Sequence, residues 1–148
     1  MRRHLSAQDL GLSVGPNDEA ALFKWLLASM LFGHRIAQTI AARTWQVLVD
    51  RGCGTPQALA RCPHAALVRM LGEGGYRRYD VSTARRLSRL GQRLVDEYDG
   101  QVHGIARAAD GRVDFERRLL AFDGIGPVTL RIFMREAGPV LYGVHGAG

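Results

Sequence analysis

Phe122-Asp123-Gly124-Ile125-Gly126-Pro127-Val128-Thr129 is the stretch that decides how this chain of 148 residues is read. It spells a helix, a tight turn and a second helix. Ahead of it, Phe115 to Ala121 carries apolar side chains at helical spacing. Behind the turn, Pro127 stands where a first helical residue belongs: its missing N–H costs nothing there, and its φ is already helical. Gly124 and Gly126 let the backbone turn sharply and leave N–H groups uncovered by side chains. Such groups at a helix N-terminus attract anions. On a basic chain the anion expected is a nucleic-acid phosphate. The same residues also fit a plain glycine cap followed by a proline-started helix.

The charge balance favours a polyanionic partner. Lys+Arg number 20 against 14 Asp+Glu, a formal net charge of +6, and Lys24 is the only lysine. The length suits one domain with a real core. Cys53 and Cys62 are too few for a four-thiolate iron–sulfur site or a Cys-type zinc site, and are read as structural. Met1-Arg2-Arg3-His4 is basic, but no apolar core follows it as a secretory signal requires. The apolar run from Ala20 to Phe32 contains Lys24 and is too short to span a bilayer. The expectation is a soluble cytoplasmic protein with no membrane partner.

Every apolar segment has helical period, and no alternating strand stands out, so the expected fold class is all-α. Residues 1–17 read as an irregular arm, 18–138 as the helical domain and 139–148 as an irregular tail. Asn17-Asp18-Glu19 starts a helix that is apolar on nearly every side, from Leu22 to Leu31, and so belongs at the centre of a bundle. Gly33 ends it. A second helix is expected from about Arg35 to Asp50, then Thr55-Pro56 caps a short one, and Pro63 starts another. A long helix runs to about Tyr98, started by Asp80 or Ser82. A short helix falls within 101–113. Asp114 caps the helix that leads into the hairpin. The last helix is expected from Pro127 to about Ala137, stopped by Gly138-Pro139.

Gly72-Glu73-Gly74-Gly75-Tyr76-Arg77-Arg78-Tyr79 is a second informative loop. Its glycines give freedom, Arg77 and Arg78 give charge, and Tyr76 and Tyr79 either offer stacking surface or pack the loop onto the core. Arg85, Arg86, Arg89 and Arg93 on the following helix either track a phosphate backbone or form a solvated face.

These segments resemble the helix-hairpin-helix (HhH-GPD) DNA glycosylase superfamily, of which endonuclease III is the familiar member. The hairpin is similar to that family's Leu-Pro-Gly-Val-Gly-x-x-Thr. Leu26-Leu27-Ala28-Ser29-Met30-Leu31-Phe32 resembles its early buried helix, and Gly74-Gly75-Tyr76 resembles its segment before a long helix. The resemblance spans roughly residues 18–145. It implies two helical lobes with a DNA cleft between them, base flipping, and base-excision repair. The implied partner is double-stranded DNA, damaged DNA included. The implied DNA-binding residues are Gly124, Ile125, Gly126, Val128 and Thr129, joined by Tyr76, Arg77 and Arg78.

Bifunctional members carry a lysine two residues after the second hairpin glycine, which forms a Schiff base, and an aspartate about eighteen residues later. Here Val128 stands at the lysine position, and the aspartate position falls at about His145 or Gly146. Glu136 is the only carboxylate after Asp123. No catalytic residue is therefore assigned. No iron–sulfur cluster is expected, and the one ion that the hairpin invites is a monovalent cation. Asp123 replaces the usual proline and puts a negative charge beside the phosphate site. Three functions stay open: a monofunctional glycosylase using a non-standard residue, a DNA-binding relative with reduced or altered catalysis, and a helical protein-interaction domain. The second is the expectation.

Overall fold

The structure is a computed structural model and describes residues 5–143. Among them it is all-helical. The helices are α1 (Glu19–Phe32), α2 (Gln38–Asp50), α3 (Pro56–Arg61), α4 (His64–Gly74), α5 (Asp80–Tyr98), α6 (Val102–Ala108), α7 (Arg112–Leu120) and α8 (Pro127–Tyr142). No strand occurs among the described residues. No helix there is long and apolar enough to cross a membrane.

α1 is the axis. Asp18 caps it by accepting the Ala21 N–H at 3.0 Å. Its side chains are buried all round from Ala21 onward except Lys24, as its near-continuous apolar sequence requires. Both tryptophans tie neighbours to it through their indole N–H groups. Trp25 donates to Phe133 O at 3.2 Å, and Trp45 donates to Lys24 O at 2.9 Å. Each ring thus buries a large apolar surface with its polar atom satisfied. On one side α1 meets α2, which packs with α4, while α5 packs on α3 and α4. On the other it meets α6 and α8, with α7 between those two. The interface of α3 with α5 needs Gly91, because a Cβ there would lie 2.5 Å from Pro56 O and 2.8 Å from Ala60 N.

Several expected boundaries shift for identifiable reasons. α2 begins at Gln38 rather than Arg35, because a tight turn, with Ile36 N–H donating to His34 O at 2.8 Å, occupies the junction. α7 begins at Arg112, so Asp114 lies in its first turn instead of at its cap. There the carboxylate accepts the Asp110 N–H and pairs with Arg118 and Arg117, which holds it below the usual carboxylate range. α8 runs past Gly138-Pro139 to Tyr142. Pro139 already has helical φ and removes only one N–H from the ladder. Gly138 is a close-approach point, where a Cβ would lie 3.1 Å from the Arg112 guanidinium. Tyr142 packs edge-on against Phe115 with ring centroids 5.6 Å apart, which holds the last turn.

The N-terminal arm includes a 3-10 turn, Gln8–Leu10, and is anchored. Ala7 N–H donates to Glu136 Oε2 at 2.6 Å, and Arg135 donates to Leu5 O at 3.1 Å. Glu19 does more than start α1. Its carboxylate accepts the Val102 and His103 N–H groups at 2.7 and 2.9 Å, capping α6 across the chain. Cys53 is buried and hydrogen-bonded to Cys62. Burial, then the Cys62 thiol, pushes it up to about 11, so it stays a protonated, inert thiol.

Two glycine substitutions separate packing from propensity. Gly91→Ala should destabilise the protein by about 1–3 kcal/mol through overpacking against α3. Gly72→Ala, in α4 with nothing near a new Cβ, should stabilise it by about 0.5–1 kcal/mol. Urea unfolding of both variants checks the pair of signs.

Candidate nucleic-acid interface

The turn between α7 and α8 is built as its sequence suggests. Gly124 has φ +96°, the left-handed region that favours glycine. Space is a second reason for glycine there: a Cβ would lie 2.9 Å from Arg86 Cδ and 3.1 Å from Met30 Cε. Ile125 is buried and anchors the turn in the core, its N–H donating to Phe122 O at 3.1 Å. Gly126 caps α8 with φ −103°, an ordinary conformation, and nothing lies within 4 Å of a Cβ built on it. Pro127 opens the helix. Gly126 O accepts the Leu130 N–H at 2.9 Å, the first bond of the helical ladder. The N–H groups of Gly126, Val128 and Thr129 have no acceptor among the described residues.

These unpaired donors open on a groove of about 390 Å³ where the two sets of helices meet. Gly33 and His34, just beyond α1, form one wall, and Arg86 of α5 forms another. Gly33 allows this approach, because a Cβ there would overlap the Thr129 hydroxyl. Thr129 is therefore a buried packing residue, whereas Val128 is 45% exposed at the mouth. His34 stacks on Tyr79 at 5.0 Å and meets the edge of Tyr76 at 6.1 Å. Burial, then the Arg86 charge, lowers its pKa from the ordinary 6.5, so the ring is neutral at pH 7.

The glycine-rich loop divides into two kinds of residue. Tyr76 is fully buried, and its hydroxyl donates to Leu31 O at 2.8 Å. It belongs to the core and cannot stack on a base, which corrects its assignment as a DNA contact. Arg77 and Arg78 are exposed and form no ion pair among the described residues. Arg78 lies over the Tyr79 ring at 5.7 Å, so the loop reaches the groove through Tyr79 and His34.

The α5 arginines divide too. Arg89 pairs with Asp123 at 2.6 Å, and Arg86 approaches the same carboxylate at 3.7 Å. Arg93 donates to Ala121 O at 2.9 Å and covers the Phe122 ring at 4.5 Å. These three bind the hairpin to α5 and do not form a merely solvated face. They also answer the charge of Asp123, which is left with two guanidinium groups around it. Arg85 is exposed without such a partner.

The position of the family's lysine falls in the groove and carries no amine. Val128 is at its mouth, and Glu136 is engaged with the arm instead. His145 and Gly146 lie outside the described residues. The Lys24 stem packs toward Gly54, between α2 and α3, and Lys24 does not line the groove. A monovalent cation at the turn would bind carbonyl oxygens, and Phe122 O and Gly126 O each accept one backbone N–H and keep a second lone pair. Arg86 belongs to the arginine group that the sequence offers as a phosphate track, whereas His34 and Gly33 are not marked as site residues in the sequence. The only signal was a histidine directly after the glycine that ends the central helix.

Comparison of the chain with protein-family models, with curated proteins and with solved structures finds no match in any of the three.

His34 supplies a pH test of this geometry. A histidine whose folded pKa lies below its unfolded value binds fewer protons when folded, so stability falls as pH drops through the unfolded value and toward the folded one. Urea unfolding at pH 7.5 and 5.5 should show a loss of stability in the native chain that is smaller in His34→Gln. Equal losses in the two would show that His34 is not held neutral.

Proposed function

We propose that the chain binds double-stranded DNA through the α7–α8 hairpin, as a relative of the helix-hairpin-helix glycosylases with reduced or altered catalysis. The observation that carries this reading is the row of unpaired N–H groups at Gly126, Val128 and Thr129, opening on a groove walled by Arg86. Backbone donors at the start of a sixteen-residue helix suit a phosphate oxygen. The exposed Arg77, Arg78 and Arg85 extend positive charge away from that point, toward further phosphates of the same duplex. Nothing in this arrangement reads bases, so the expected affinity is set by backbone contacts.

Gly126 allows a clean test, because its φ suits any residue and a side chain there meets empty space. Gly126→Val should leave the unfolding free energy within about 1 kcal/mol of the native protein. It should weaken binding to an undamaged duplex at least about tenfold, close to 1.4 kcal/mol. If about four phosphates are neutralised, native affinity should fall roughly a hundredfold between about 50 and about 200 mM salt. Duplex binding indifferent to the substitution and to salt would remove the hairpin as the DNA contact.

Schiff-base lyase activity is not expected, since Val128 stands at the amine's position and Lys24 packs elsewhere. Borohydride reduction with abasic-site duplex should trap no covalent complex. A trapped complex that Lys24→Ala abolishes, with the fold intact, would overturn the reading of reduced catalysis.

A further inference from the structure

A second groove, of about 560 Å³, runs between α7 and α8 and shares only Pro127 with the hairpin mouth. Its chemistry is different. Leu120, Leu130 and Met134 line it with apolar surface, and Leu120 is 44% exposed at the end of α7. A leucine so exposed, beside further apolar side chains in a concave surface, offers area that water solvates poorly.

The rim is positive. Arg112 and Glu116 answer each other at 3.0 Å, leaving Arg131 and Arg135. Arg131 has no partner among the described residues, and Arg135 donates only to the neutral Leu5 carbonyl. These two guanidinium groups are four residues apart on one helix, where like charges face and repel each other. Carboxylates placed between them would relieve that repulsion.

The charge pattern selects among occupants. DNA gains nothing from a leucine-lined floor. A second copy of this chain carries the same net charge of +6, and pairing groove to groove would set like rims together. Neither terminal stretch outside the described residues has a carboxylate side chain: residues 1–4 are Met-Arg-Arg-His and 144–148 are Val-His-Gly-Ala-Gly. We propose that this groove docks an amphipathic helix of a separate protein, with leucine-like side chains on one face and Asp or Glu along its edge. The groove's separation from the hairpin mouth lets such a partner and a duplex bind together.

The test uses the full chain and a fluorescein-labelled helical peptide of about eighteen residues, with Leu at i, i+3, i+4 and i+7 and Glu at the flanking positions. A second peptide has Lys in place of every Glu. Fluorescence anisotropy should show saturable binding of the Glu peptide and at least tenfold weaker binding of the Lys peptide. Leu120→Glu and Arg131→Glu, both at exposed positions, should each weaken the Glu peptide at least tenfold, while Gly126→Val should not. Leu120→Glu should leave duplex binding unchanged, so failure here is distinct from failure of the hairpin reading. Three results would each overturn the proposal: equal binding of the two peptides, displacement of the peptide by duplex, or a dimer in sedimentation that Leu120→Glu dissolves.

Discussion

The close approach of α1 to the first turn of α8 is the constraint on which the rest of the structure depends. Two glycines permit it. At Gly33 the space a Cβ would take is filled by the Thr129 hydroxyl, and at Gly124 it is bounded by Arg86 and Met30. The buried Phe122 and Ile125 side chains and the Trp25–Phe133 bond hold the two helices from within. Because helix ends are brought together here, a histidine and backbone donors with no acceptor among the described residues face one groove. The same packing that stabilises the core thus exposes the groups that can bind an anion.

Arginine does two different jobs on this surface, and the two are told apart by partners rather than by exposure. Arg89 and Arg93 are committed to Asp123, Glu97, the Ala121 carbonyl and the Phe122 ring. They work locally, clamping a turn that has few side chains of its own. Arg77, Arg78 and Arg85 form no ion pair among the described residues, Arg78 lying over the Tyr79 ring, and sit on the loop and helix adjoining the groove. Asp123, a liability when read alone, is part of the clamp. The individual surface pairs are worth little in isolation. Together with the cation–ring contact, they fix where the hairpin sits.

Much of this architecture was legible in order along the chain. The unbroken apolar run at Leu22–Leu31 marked a central helix, and caps at Asp18 and Thr55 and the start at Pro127 fall where they were expected. Local rules failed where tertiary contacts took over. Gly138-Pro139 reads as a stop, yet the helix continues because Arg112 packs over the glycine and Phe115 holds Tyr142. Tyr76 reads either as stacking surface or as core, and its hydroxyl bond to a carbonyl across 45 positions of sequence decides for the core. Glu136 reads as a stray carboxylate and is the anchor of the arm. The groove's composition was the least legible part. His34 and Arg86 lie far apart in sequence, and no local pattern marks a side chain whose neighbour is supplied by another helix.

Amide chemical-shift mapping tests the central claim most directly. In a titration of isotope-labelled protein with a short undamaged duplex, the largest shifts should fall on the Gly126, Val128 and Thr129 N–H groups, with smaller ones at His34, Arg77 and Arg78. Shifts that leave those three amides unmoved while the duplex binds elsewhere would contradict the account.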